Sequence, residues 1–173
     1  MPTTTLRPWT LHDAPALASM LNDKAILDNL RDGIPYPYTE ADAEAFLRQT
    51  LAAEAGSQYA FAVLCDGAVA GSIGFLRKAN VHRLTAELGY YIARPYWGRG
   101  IMTAAVRQGC GYVFAHTDIV RIFAEPFAFN LASCRVLEKA GFRFEGVLRE
   151  NAVKHGRVED MKMFSMLRRD WID

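Results

Sequence analysis

Between residues 88 and 103 an apolar run, Leu88-Gly89-Tyr90-Tyr91-Ile92-Ala93, passes through Arg94-Pro95-Tyr96-Trp97-Gly98-Arg99-Gly100 and enters the helical pattern that starts at Ile101-Met102-Thr103. Any fold this chain adopts must deliver the end of a strand, through a glycine turn, to the start of a helix. The first N–H groups of a helix lack intrahelical partners and carry roughly half a positive charge through the macrodipole. Glycines at 98 and 100 remove the Cβ atoms that would keep a ligand off the main chain, and they permit positive φ. The turn therefore reads as a cradle for an anionic, phosphate-bearing group, and Arg99 and Arg94 can add side-chain charge to it. A dinucleotide fingerprint would place a third glycine near position 103, where Thr103 stands, and the Gly-Lys-Ser/Thr of a P-loop occurs nowhere in the chain.

At 173 residues the chain suits one domain with a full core and is short for two, so residues 1–173 are read as a single domain. Residues are 51% apolar and 23% charged with a net charge of +1, which leaves no basic stripe for nucleic acid and argues against direct nucleic-acid binding. No window approaches the eighteen or so apolar residues of a membrane span, and the N-terminus lacks the basic start and apolar centre of a signal peptide, so no membrane association and a cytoplasmic location are expected. Cys65, Cys110 and Cys134, odd in number and without Cys-x-x-Cys spacing, read as small core residues in a reducing compartment. His12, His82, His116 and His155 show no metal-ligand pairing, so no metal is expected.

Along the chain, Leu6–Pro8 predicts a short strand and Asp13–Leu21 a helix. Thr39 with Asp42 forms a capping-box pattern for a helix through Phe46, Leu47 and Leu51, after the turn-rich Asp32–Tyr38 segment. Tyr59–Cys65 and Ala68–Leu76 are β-rich runs joined by Asp66-Gly67, a two-residue hairpin signature, and Leu84–Ala93 is a third strand. Thr103–His116 predicts a helix in spite of Gly109 and Gly111, each costing about 1 kcal/mol against alanine, which implies close packing on a sheet there. Ile119–Glu125, a helix over Leu131–Lys139 closed by Gly141, Phe142–Leu148 and a last strand ending near Leu167 complete the order, with Lys154–Arg157 as the intervening turn. The result is a mixed α/β domain around one sheet.

That order, with Tyr96–Thr103 at its centre and Asn130-Leu131-Ala132-Ser133 leading to Gly141-Phe142, resembles the GNAT superfamily of acetyl-CoA-dependent N-acetyltransferases, and within it the RimJ/RimL branch. The resemblance implies a central, mostly antiparallel twisted sheet, splayed at the cofactor site and flanked by helices. It also implies acetyl-CoA as co-substrate. The backbone of Gly98, Arg99, Gly100, Ile101, Met102 and Thr103 would hold the pyrophosphate, Ile92 would line the pantetheine, and Asn130 and Ser133 would touch the same arm. Pro95 stands where the family's glycine signature usually has Gln or Arg. Dimers are common among similar proteins, so a homodimer is open.

An amine attacking a thioester must arrive neutral, and the leaving thiolate must be stabilised. Neutralising an α-amine of pKa about 8 at pH 7 costs about 1.4 kcal/mol, whereas a lysine of pKa about 10.4 costs about 4.6 kcal/mol. Glu87, at the start of the central strand, is the leading base; its alternative is a solvated residue paired with Arg83. Glu150 and Asp160 are weaker candidates. The glutamate of the RimL-type pattern falls at Ala152, and the tyrosine that many members use toward the thiolate falls at Leu137. Ser133 is then the candidate donor to the sulfur, with helix capping by Asn130 and Ser133 as the plainer alternative. For the acceptor side the resemblance points to Asn29, Arg31, Tyr36 and Tyr90. The expected function is N-acetyl transfer to a primary amine, foremost a protein N-terminus of the ribosomal-protein type. A small-molecule amine acetyltransferase and a non-catalytic acyl-CoA-binding module are the alternatives.

Overall fold

The hairpin at Asp66-Gly67 forms as its composition requires. Both residues take positive φ, 50° and 85°, which gives the turn the twist that two right-twisted strands need. In the computed structural model, which describes residues 2–171, this turn joins β2 (Gln58–Cys65) to β3 (Ala68–Arg77). With β1 (Thr4–Pro8), β4 (Thr85–Ile92), β5 (Arg121–Ala124), β6 (Arg143–Lys154) and β7 (Arg157–Leu167), the described residues build a seven-stranded sheet in the order β1-β2-β3-β4-β5-β7-β6. Every junction is antiparallel except β4–β5, which is parallel.

Alternation along β2 divides the interior in two. Ala62 and Leu64 face one side, packing with Trp9 and with α1 (Ala14–Leu21) and α3 (Glu40–Leu51). Val63 and Cys65 face the other, under α4 (Ile101–His116) and α5 (Leu131–Ala140). A strand buried on both faces reads as a continuous apolar run, and that is what β2 shows. Cys65, Cys110 and Cys134 are all buried thiols.

The local stops act as their chemistry dictates. Thr39 N–H donates to Asp42 Oδ2 at 2.8 Å and Asp42 N–H to Thr39 Oγ1 at 3.1 Å, a reciprocal capping box that starts α3. Gly141, with φ 99°, closes α5. Gly109 lies against the sheet as expected: a Cβ there would sit 2.7 Å from the Phe75 ring of β3. Gly111 differs, because a Cβ at that position would meet Trp171 of the C-terminal segment at 3.3 Å, and not the sheet.

Two elements exceed the sequence reading. A single-turn helix, α2 (Lys24–Leu27), is held by the Asp23 carboxylate, which accepts from Ala25 N–H at 3.0 Å. β6 extends to Lys154, well past Leu148, because two irregularities in its pairing with β7 absorb Glu145 and the Arg149–Asn151 stretch.

The decisive feature lies between β4 and β5. Their pairing consists of Thr85 with Arg121, Ala86 with Ile122 and Glu87 with Phe123, after which β5 ends at Ala124. Pro126 cannot donate to a ladder. Its carbonyl instead accepts from Lys162 N–H at 2.9 Å, and Ala128 N–H donates to Asp160 O at 2.9 Å, so residues 126–128 peel away toward β7. β4 runs on through Leu88–Ile92 paired with β3 but no longer with β5, and the sheet opens on that side.

Candidate active site

The glycine turn sits at the end of the stretch of β4 that β5 leaves open. Gly98 and Gly100 have φ of 71° and 76°, and a Cβ built on either meets nothing within 4 Å, so both face open space. Gly100 is the N-cap of α4 and contributes no side-chain cap, whereas α3 and α5 are capped by Thr39 and Asn130. The exposed start of α4 is therefore left with backbone donors aimed at whatever lies beyond the turn. Ile101 and Met102 are buried at 1% and 5% exposure. They anchor the helix through their side chains and can offer only N–H groups. The Trp97 indole donates to the Ile92 carbonyl at 2.8 Å and pins the turn onto the end of β4. Arg99 stacks over Tyr96, its guanidinium carbon 5.6 Å from the ring centre. Arg94 does not serve the cradle: its guanidinium grips Asp23 with two bonds of 2.7 and 2.6 Å.

Strand geometry adds a second set of donors and acceptors. Ala93 N–H bonds to Ala70 O at 2.8 Å, and alternation then turns the main-chain groups of Tyr90 and the N–H of Ile92 toward the edge that β5 has abandoned, the Ile92 carbonyl being taken by Trp97. Across the gap stands the first turn of α5, where Asn130 Oδ1 accepts from Ser133 N–H at 3.1 Å. Tyr90, expected on the acceptor side, spans this gap instead, its phenol oxygen 2.8 Å from Ser133 Oγ and 3.2 Å from Ser133 O. Leu137 is fully buried in the core below.

On the other side of the opening lies a cleft of about 730 Å³. Its lining combines Phe123, Phe127, Met161 and Met163 with a ring of charge. Glu87 is at the centre of that ring. Its Oε1 accepts from Arg31 Nη2 at 2.5 Å and its Oε2 from Lys78 Nζ at 3.0 Å. Arg83 turns to the Asn80 carbonyl, so it is not the partner of Glu87. Burial works against ionisation of Glu87, yet the bond from Lys78 and the charge of Arg31 outweigh it and hold the carboxyl below the ordinary glutamate range. Glu125, at the exit of β5, lies 3.9 Å from Arg31.

Of the residues expected to bind the acceptor, only Arg31 lines this cleft. Asn29 donates to the Ala25 carbonyl at 2.9 Å as part of the exit from α2. Tyr36 is exposed, with Lys24 5.0 Å from its ring centre. Asp160 Oδ1 is engaged by Glu150 N–H at 2.8 Å, while Ala152 does reach the lining. Lys78, Glu125 and the apolar floor go beyond the sequence reading. The Glu125-Pro126 pair is the available clue, because a proline directly after a strand both stops the pairing and leaves the preceding side chain at the mouth of the gap.

An open helix start, a left-handed glycine cradle and a free strand edge in one line fit a long ligand that carries phosphates at one end and amide groups along its arm, as coenzyme A does. Among the described residues, no cluster of three or more His, Cys, Asp or Glu is arranged to hold a metal ion. Residues 3–143 match the model of the acetyltransferase (GNAT) domain. The chain belongs to the GNAT family.

GNAT proteins use acetyl-CoA as acyl donor, and solved relatives carry the coenzyme. RimJ of Mycobacterium smegmatis in complex with CoA-disulfide is 25% identical, with a TM-score of 0.85 over 95% of this chain and 81% of that one. A putative ribosomal N-acetyltransferase, YdaF of Bacillus subtilis (strain 168), is 35% identical over 109 residues, 63% of this chain and 59% of YdaF. The spermidine N(1)-acetyltransferase of Escherichia coli (strain K12) is 29% identical over 104 residues, 60% of this chain and 55% of that enzyme. The matched stretch thus spans little more than half the length of these two curated relatives. This GNAT chain has relatives named for two kinds of acceptor, so the choice between them falls to the chemistry of its own cleft.

Proposed function

We propose that this protein is an N-acetyltransferase that moves acetyl from acetyl-CoA to a protein N-terminal α-amine by direct attack on the thioester. The observation that carries the choice of acceptor is the charge of the cleft. The lining holds three cationic side chains, Arg31, Lys78 and Arg121, and three carboxylates, Asp32, Glu87 and Glu125, beside an apolar floor, so it has no surplus of carboxylate to attract a polyamine or an aminoglycoside. Such a surface suits one amine attached to a chain whose first side chain can lie on Phe123, Phe127 and the two methionines.

The chemistry of Glu87 supports the same acceptor. We assign it as the proton acceptor at the point where the gap opens, but its two cations make it a weak base. A weak base serves an amine that is already partly neutral. At about 1.4 kcal/mol the α-amine meets that condition, and at about 4.6 kcal/mol a lysine side chain does not. The main chain at Gly98–Thr103 would hold the pyrophosphate, Ile92 and Asn130 the pantetheine arm, and Ser133 would face the sulfur. When bound, acetyl-CoA supplies the activated acyl group.

Thiol release measured over an acceptor panel tests the reading. Turnover with peptides bearing a free N-terminus, and little with N-blocked lysine peptides, spermidine or an aminoglycoside, is the expected result. Preference for spermidine or an aminoglycoside would replace the acceptor with a small molecule. Tight coenzyme A binding with no turnover on any amine would make the protein an acyl-CoA-binding module.

A further inference from the structure

With Leu137 buried in the core, the donor for the leaving sulfur must come from elsewhere, and Ser133 alone is a poor one unless its hydroxyl proton is pointed at the gap. We infer that Tyr90 is the positioning residue that points it: the phenol of β4 donates into Ser133 across the splay, and the seryl O–H is thereby left to hydrogen-bond the leaving thiolate. This inference rests on the acetyl-transfer reading above.

The geometry allows two arrangements of one phenol proton. Ser133 O can only accept, so the 3.2 Å contact has Tyr90 as donor; the 2.8 Å contact with Ser133 Oγ can run either way. If the phenol proton goes to the carbonyl, the seryl proton is spent on the phenol oxygen. If the phenol proton goes to Oγ, that oxygen is satisfied as an acceptor and its own proton is released for a third atom. A negative sulfur at the gap selects the second arrangement, because a charge-assisted bond is roughly twice as strong as a neutral one. The first-turn N–H groups of α5 add their partial positive charge at the same place.

Two further observations fit the role. Burial drives the Tyr90 hydroxyl well above its ordinary range, so the phenol keeps its proton throughout neutral pH and acts as donor without ionising. Its ring packs against the main core cluster, which fixes the direction of the O–H bond. In the step itself the amine nitrogen forms the new C–N bond, the C–S bond breaks, and the electron pair stays on sulfur. The amine proton goes to Glu87 or solvent. The thiolate, held by the seryl O–H, later takes a proton from solvent, so Tyr90 and Ser133 end the cycle unchanged.

The thiol of bound coenzyme A can be titrated by thiolate absorbance without any turnover. In the wild-type complex its pKa should lie below that of free coenzyme A, and in Tyr90→Phe it should rise by about one unit, a tenfold smaller thiolate ratio. Affinity for desulfo-coenzyme A should be the same in both proteins, which a general disturbance of the site would not allow. Tyr90→Phe in a Ser133→Ala background should add nothing further to the thiol shift. An unchanged thiol pKa in Tyr90→Phe with coenzyme A still bound, or additive effects of the two substitutions, would overturn the inference. The titration reads out even if no amine is acetylated, so failure of the proposed function is seen separately in the acceptor panel.

Discussion

Arg31 reaches from the segment after α2 to Glu87 on β4, Nη2 to Oε1 at 2.5 Å, and so ties the outer wall of the cleft to the strand at which the sheet opens. Removing the guanidinium takes away one of the two cations that hold the Glu87 carboxyl low. In Arg31→Ala the Glu87 carboxyl should titrate higher, and the acid limb of kcat/KM should move up with it. Glu87→Gln should lose on the order of 100-fold or more in kcat, the usual range for a positioned base. Full activity in Glu87→Gln across about pH 6 to 9 would remove the residue from proton transfer.

The cradle makes a second claim. Gly98 and Gly100 occupy the left-handed region with open space where a Cβ would lie. Gly98→Asp would set a carboxylate against the pyrophosphate and should weaken acetyl-CoA by about tenfold or more, roughly 1.4 kcal/mol. Gly100→Ala forces a Cβ into positive φ at a cost of about 1 to 2 kcal/mol, shared between folding and binding. Calorimetric titration with coenzyme A separates the two; unchanged affinity in Gly98→Asp would show that the phosphates bind elsewhere.

Gly109 bears on stability alone. Alanine is the better helix former by about 1 kcal/mol, but its methyl would stand 2.7 Å from two ring atoms of Phe75, itself 1% exposed. Overpacking of that kind costs about 1 to 3 kcal/mol. Gly109→Ala should therefore lower Tm, and Gly109→Ala with Phe75→Leu should recover part of the loss.

Acid sensitivity follows from two carboxylates. Hydrogen bonds from Arg7 and Thr10 bring Asp13 from 3.8 to about 2, against the opposing effect of burial. Arg121 and Ser165 bring Glu145 to about 2 in the same way. A carboxyl lowered by folding adds stability that is present above its unfolded value and lost as pH falls toward its folded one. Urea midpoints should therefore be steady above about pH 5 and drop steeply between about pH 4 and 2. Asp13→Asn should cost about 1.5 to 3 kcal/mol at pH 7 and flatten that acid drop.

Much of this architecture is legible in the chain because it is local. Asp66-Gly67 demands a primed turn by its φ angles, Thr39 and Asp42 satisfy each other's backbone, Gly141 ends a helix, and Gly98 and Gly100 cannot be read as ordinary strand or helix residues. The partners of Glu87 are not legible. Lys78 is near in sequence, but it meets Glu87 only because the β3–β4 connection folds back on itself, and Arg31 arrives from 56 positions away. The place of Tyr90 on its strand suggests the acceptor side; its contact with Ser133 depends on how α5 is docked on the sheet.

Most elements, the caps and turns, and the positive-φ glycine turn at Gly98–Gly100 are thus written in the chain itself, since each depends on dihedral preference and on hydrogen bonds within a few residues. Where the sheet opens, which cations hold Glu87, and that a tyrosine bridges the gap to Ser133 are settled only by folding in three dimensions. Those depend on strand order and helix docking, where apolar burial over the whole core sets the geometry and the polar side chains take the partners that it brings within reach.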